Sequence, residues 1–163
     1  MASTSHEFYN PSNRLIRIIE VNAEELTRGT VENLQSNPRT ISYHKLSYSD
    51  LYNRAYEVYH DLARWLWEKS DQAIQAWYNE LGKERFHQKV PLGEVLWALV
   101  LTKYRLLDYL RAWGLPDSAM ELYQQQEFSQ MIGQFFDRAI CYTAEGYERE
   151  TSFGQKPSRS NAA

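Results

Sequence analysis

Four histidines, one cysteine and a scatter of carboxylates are the residues of this chain that chemistry could use. His6, His44, His60 and His87 stand far apart, and no two are spaced at i, i+4, the interval that turns two imidazoles toward one metal from a helix face. Neither a His-Glu-x-x-His run nor the Glu-x-x-His repeat of a di-iron bundle is present. Glu145 and Glu148 share a helical face, as do Glu24 and Glu25 with Arg28, in the manner of solvated surfaces. The seven glycines build no Gly-x-Ser-x-Gly turn and no phosphate-cradling loop. Cys141 falls on the apolar half of a helical stretch, where a thiol behaves as a small hydrophobe. The expectation is a protein that senses or binds, without catalytic residues, metal or cofactor.

The bulk properties narrow this further. A chain of 163 residues has the length of one domain with a real core. A net charge of −3 offers no basic face for phosphates, so nucleic acid is not an expected partner. The basic residues are interleaved with acids, which argues against a membrane-surface face. No apolar stretch is long enough to span a bilayer, and the N-terminus lacks a secretory pattern. One cysteine precludes an internal disulfide and fits a reducing compartment, so the cytoplasm is the expected location.

The elements that must position these residues all read as helices. Residues 1–12, polar with a Pro and two aromatics, and residues 151–163, rich in Ser, Gly, Pro and Asn, are expected to be flexible tails around a helical domain of residues 13–150. The first helix is expected from about Arg14 to Ser36, ended by Asn37-Pro38. A second should run from Ser49 to Lys69, with Ser47 or Ser49 as its cap. Asp71 should cap a third through His87, and Pro91 should open a fourth that runs to Trp113, stopped by Gly114 and Pro116. That fourth segment, carrying Leu92, Val95, Leu96, Leu99, Val100, Leu106, Leu107 and Leu110, is apolar on nearly every side. It is expected to be the central element, enclosed all round. A short fifth helix, Asp117 to Gln125, and a last one, Phe128 to Arg149, complete an all-α, six-helix bundle or globin-like stack.

Aromatic residues are over-supplied: 12 Tyr, 5 Trp and 6 Phe make 14% of the chain. Tyr48, Tyr52, Tyr56 and Tyr59 flank the aliphatic face of the second helix and widen its apolar arc; Trp65, Trp67, Trp77 and Trp113 add to the excess. A broad core contact would absorb some of these rings, and a subunit interface, where Tyr and Trp are enriched, would absorb the rest. The chain is therefore expected to form a homodimer.

The segment from Leu81 to Leu110 resembles the N-terminal domain of the RsbR-type co-antagonists of bacterial stress signalling. The matching positions are Leu81, Gly82, Arg85, Val90, Pro91, Leu92, Glu94, Val95 and Leu96, with Asn37-Pro38-Arg39 and Leu46-Ser47 as looser echoes upstream. The resemblance, covering roughly Leu15 to Tyr147, implies a globin-like helical fold without haem, dimeric, acting as a signal-input module. It also implies a signalling partner protein, because such units commonly precede a STAS or kinase output domain and none is recognised here. A stand-alone protein and a sensor unit cut from a longer one both stay open. On this reading the dimer surface is expected on the first and last helices, at Ile18, Ile19, Phe135 and Phe136. The same stretch is also similar to the proximal segment of haem-binding globin-coupled sensors. This alternative makes the chain a gas sensor with His87 as proximal iron ligand and His60 as distal partner.

Overall fold

The computed structural model describes residues 11–113 and 116–154. Six α-helices follow in order: α1 (Pro11–Val21), α2 (Ala23–Ser36), α3 (Tyr48–His60), α4 (Asp71–His87), α5 (Leu92–Ala112) and α6 (Ala119–Gly154). A 3-10 helix, Ile41–Lys45, joins α2 to α3, and a π-helical turn, Arg64–Glu68, follows α3. No strand occurs among the described residues, and the architecture is an all-α, globin-like bundle. Gly114 and most of the two expected tails lie outside the described residues, but α6 continues helical to Gly154, past the expected end at Arg149.

The helices divide differently from the sequence expectation, each change marked by specific hydrogen bonds. The expected first helix is two, because the Asn22 side chain donates to the Ile18 carbonyl at 2.8 Å and bends the ladder there. The expected second helix closes at Asp61. Beyond it the Ala63 amide donates to Glu20 Oε1 at 2.9 Å, and the wide turn swings Trp65 inward while leaving Trp67 in solvent. The expected fifth and sixth helices are one, of 36 residues. Its start is fixed by a reciprocal cap: Ser118 Oγ accepts from the Glu121 amide, and the Glu121 carboxylate accepts from the Asp117 amide. At the start of α4 the capping oxygen belongs to Ser70, which accepts from the Ala73 amide at 3.2 Å. Asp71 instead reaches across to α6, where it accepts from Arg138 at 3.1 Å and from the Tyr142 hydroxyl at 2.6 Å.

The closest helix pair is α4 on α6. They touch through two glycines, each with backbone opposite it: Gly82 of α4 meets the Thr143 carbonyl, and Gly146 of α6 meets that of Asn79. The axis of the bundle is therefore α6, with α1, α4 and α5 packed along it. The expectation that α5 is enclosed on all sides is not met. Val95, Ala98, Leu99, Leu106 and Leu110 are buried, but Leu96, Val100 and Leu107 are half-covered and Trp97 and Tyr104 are exposed. Hydropathy reports that a face is apolar; it does not report whether the same chain supplies the cover.

Part of the aromatic excess is core. Trp65 is fully buried, with the rings of Trp77, Tyr78 and Phe135 between 5.0 and 6.0 Å from it. Tyr59 is fully buried too, its hydroxyl 2.9 Å from Thr30 Oγ1, while Tyr48, Tyr52, Tyr56 and His60 stack in series along the outer side of α3. The core itself is in two clusters. The larger gathers residues of all six helices around Trp65 and Phe135. The smaller joins Val31, Leu34, Tyr43, Leu51, Val90, Val95 and Ala98.

Candidate functional site

Where the two clusters meet, α3 packs closely on α2 and α1 but not on α4 or α5. The gap beneath it is a cavity of about 60 Å³. Leu51, Ala55 and Val58 of α3 form one wall; Tyr78, Leu81 and Arg85 of α4, with Ala98 and Leu99 of α5, form the opposite one. Arg54 and Trp77 stand beside it, the Arg54 guanidinium 4.7 Å from the Trp77 ring centre and paired with Glu84 at 2.5 Å.

Arg85 is the unusual member. Among the described residues it is the one charged side chain classed as buried, at 3% exposure. It sits on the same helical stripe as Ile74, Tyr78 and Leu81, so α4 carries it inward by register. Its Nη1 donates to Gln88 Oε1 at 2.7 Å, and its guanidinium carbon lies 5.4 Å from the Tyr43 ring centre. Its Nε has no acceptor. Burial pushes the Tyr43 phenol pKa up, and Arg85 beside it only partly counters this. Tyr78, also on the cavity wall, is raised further by the same cause, so both phenols stay protonated.

The surroundings of Arg85 are built by the motif that the sequence brought forward. Gly82 allows α4 to settle on α6. After α4, Lys89 takes φ 60° and lets the Val90 amide donate back to the Arg85 carbonyl at 3.0 Å, with Lys89 bonded to Phe86 in the same reversal. Val90 is buried, and its carbonyl accepts from the Tyr147 hydroxyl of α6 at 2.8 Å. Pro91 precedes the first residue of α5, and Glu94 in that first turn accepts from the Ser42 amide at 2.6 Å and from Ser42 Oγ at 3.1 Å. That contact pins the 3-10 helix, and with it Tyr43, against the Arg85 side of the cavity.

A family model described as "RsbT co-antagonist protein rsbRD N-terminal domain" matches residues 24–152. The chain belongs to this family. The match runs from α2 into the last turns of α6 and takes in the whole cavity wall. The RsbR-type domain is a regulatory input unit of stress signalling, and its family is a regulatory one rather than a family of enzymes. Neither the curated proteins nor the solved structures compared with the chain gave a match.

Against this frame most of the individually expected site residues fall elsewhere. Ile19, Phe135 and Phe136 are fully buried in the larger cluster and Ile18 is half-covered, so these four do not form an outward surface for a second copy. The reason is the inward turn of α1 onto α6, which spends their apolar stripe on the chain's own core. His87 and His60 both lie at the surface, and neither lines the cavity beneath α3. Their side chains are 59% and 54% exposed, and each ring meets a carboxylate: Glu150 for His87, Asp61 for His60, both at 3.1 Å. Neither imidazole points to the apolar interior, where a porphyrin would have to lie. Cys141 is exposed rather than core, since Ala139 and Thr143 take the inward positions around it. Among the described residues no group of His, Cys, Asp and Glu is arranged to hold a metal, and no helix is long and apolar enough to cross a membrane. Arg85 was within the quoted motif but not singled out. Its signal was legible, as a charge at the fourth position of the stripe Ile74, Tyr78, Leu81.

Proposed function

We propose that this input domain works as a homodimer and passes its signal to a partner protein by a change in how the two copies pack. The observation that supports this is the open side of α5. Leu96, Trp97, Val100, Tyr104 and Leu107 lie along one outward arc of that helix, half-covered or exposed among the described residues, with the Arg39 guanidinium 4.1 Å from the Trp97 ring centre. A self-complementary patch of this kind suits a two-fold contact, because the same residues serve both copies. Packed helices have discrete arrangements, so a small displacement at the cavity is converted into a choice between dimer geometries. With a single, exposed cysteine the protein suits a reducing compartment, and the cytoplasm is the location we assign to it.

Light scattering tests the dimer directly. The wild type is expected at twice the 19.3 kDa of the chain. The double variant Val100→Asp, Tyr104→Lys is expected at the single-chain mass, with its helical content unchanged. A wild type of single-chain mass at high micromolar concentration overturns the proposal; so does a double variant that stays dimeric.

A further inference from the structure

A buried cation needs a counter-charge, and the cavity beneath α3 holds a cation without one. Arginine stays protonated at any working pH. Taking its charge out of water is costly unless an anion comes with it. Among the described residues no ion pair reaches Arg85. Two nearby acids are engaged: Glu84, next to it on α4, with Arg54, and Glu94 of α5 with Ser42. One edge of the guanidinium is held by Gln88, which leaves the Nε–H as an unused donor. The remaining surface of the cavity is overwhelmingly apolar, from Leu51, Ala55, Val58, Ala98 and Leu99.

We infer that this cavity binds a short-chain aliphatic monocarboxylate, its carboxylate on Arg85 and its alkyl tail against the α3 wall. The planar guanidinium edge suits a carboxylate, which accepts two parallel hydrogen bonds. Size limits the tail: about 60 Å³ holds roughly four to six water-sized groups, which corresponds to acetate or propionate rather than a longer acid. Apolar walls select these over inorganic anions, which have no tail to desolvate. Occupation would bring Arg85 of α4 and the inner face of α3 onto one ligand and so set the spacing of two elements that otherwise barely touch. The inference names a ligand for the input reading above and rests on it for biological purpose, not for binding.

Propionate titrated into the full chain by calorimetry, at constant ionic strength and with chloride as reference, tests this. The wild type is expected to bind one propionate per chain, and its melting temperature should rise with propionate but not with added chloride. Arg85→Met, which keeps the long apolar stem and removes the unpaired charge, is expected to fold and to lose at least tenfold in affinity. Ala55→Leu, which fills the cavity and leaves Arg85 in place, is expected to lose binding as well. Absence of binding at tens of millimolar overturns the inference, as do an Arg85→Met variant that binds like wild type and a chloride effect equal to that of propionate. The mass of the same samples separates the two proposals. A dimer that ignores propionate sinks this one alone, and a monomer that binds it sinks the dimer alone.

Discussion

Replacing Gly82 by alanine sets two effects of opposite sign against each other, and the α4–α6 crossing decides between them. In a helix interior alanine is favoured over glycine by about 1 kcal/mol. At Gly82, however, a methyl group would fall on the Thr143 carbonyl oxygen and lie 2.7 Å from the Tyr147 nitrogen, where ordinary contact is 3.4–4 Å. Both obstacles are backbone, so no side chain can swing aside. The helices must part by roughly 1 Å, a gap that forfeits a quarter to a half of each affected contact. Some 30–40 atom pairs at about 0.1–0.2 kcal/mol each put that loss near 2–3 kcal/mol, within the usual range for overpacking. Net destabilisation of roughly 1–2 kcal/mol corresponds to a fall in Tm of about 2–8 °C for a chain of this size. The control is Gly133→Ala on α6, the same chemical change at a helical site with nothing within 4 Å; it is expected to stabilise by up to about 1 kcal/mol. Urea unfolding of both variants, compared at unchanged m-value, reads the difference. If Gly82→Ala stabilises like Gly133→Ala, the helices are not in backbone contact and the account of the crossing is wrong.

Two other perturbations follow from local geometry. Lys89 holds φ 60° at the reversal after α4. Lys89→Gly should remove that strain and gain about 0.5–1 kcal/mol despite glycine's larger unfolded-state entropy; a lower urea midpoint than wild type would contradict the reversal described. Burial pushes the Tyr59 pKa up to about 12 from its ordinary 10.0. Because the folded value is the higher one, its contribution is complete below pH 10 and is lost as pH rises through about 12, a loss of roughly 2–3 kcal/mol. Tyrosinate absorbance should therefore show a late-ionising group whose titration coincides with loss of helical signal, and Tyr59→Phe should soften that alkaline loss. A tyrosine complement almost fully ionised at about pH 11 in a still-folded chain would be incompatible with this burial.

The fold class and the extent of the third expected helix were legible, because the Val90-Pro91 break closes α4, although its cap is Ser70 and not the expected Asp71. The sequence concealed the wide turn at Trp65, which depends on a hydrogen bond to Glu20, an acceptor placed by packing, and the break at Asn22, a side-chain bond four residues back that periodicity does not register. The continuity of α6 could have been read, as Ser118 and Glu121 have the spacing of a capping box and no Gly or Pro falls between Glu121 and Gly133. The family motif was visible as letters, and the structure supplies its physics: a close crossing at Gly82, a buried charge at Arg85, a tight reversal at Val90 and a clasp at Glu94. Which apolar faces remain uncovered was not legible. Ile19 and Trp97 look alike in a periodicity count, and only the path of the chain puts one inside and the other out.

The seam between the two core clusters has a further consequence for motion. A helix held on one side and hollow on the other has room to shift, so α3 can move against the cavity while it stays seated on α2 and α1. Its outer tyrosine ladder would travel with it as a stiff rib, while Thr30 and Tyr59 act as the latch. A domain built this way can loosen one slat without disturbing the α4–α6 frame, and detection and structural integrity are thereby assigned to different parts of the same small body.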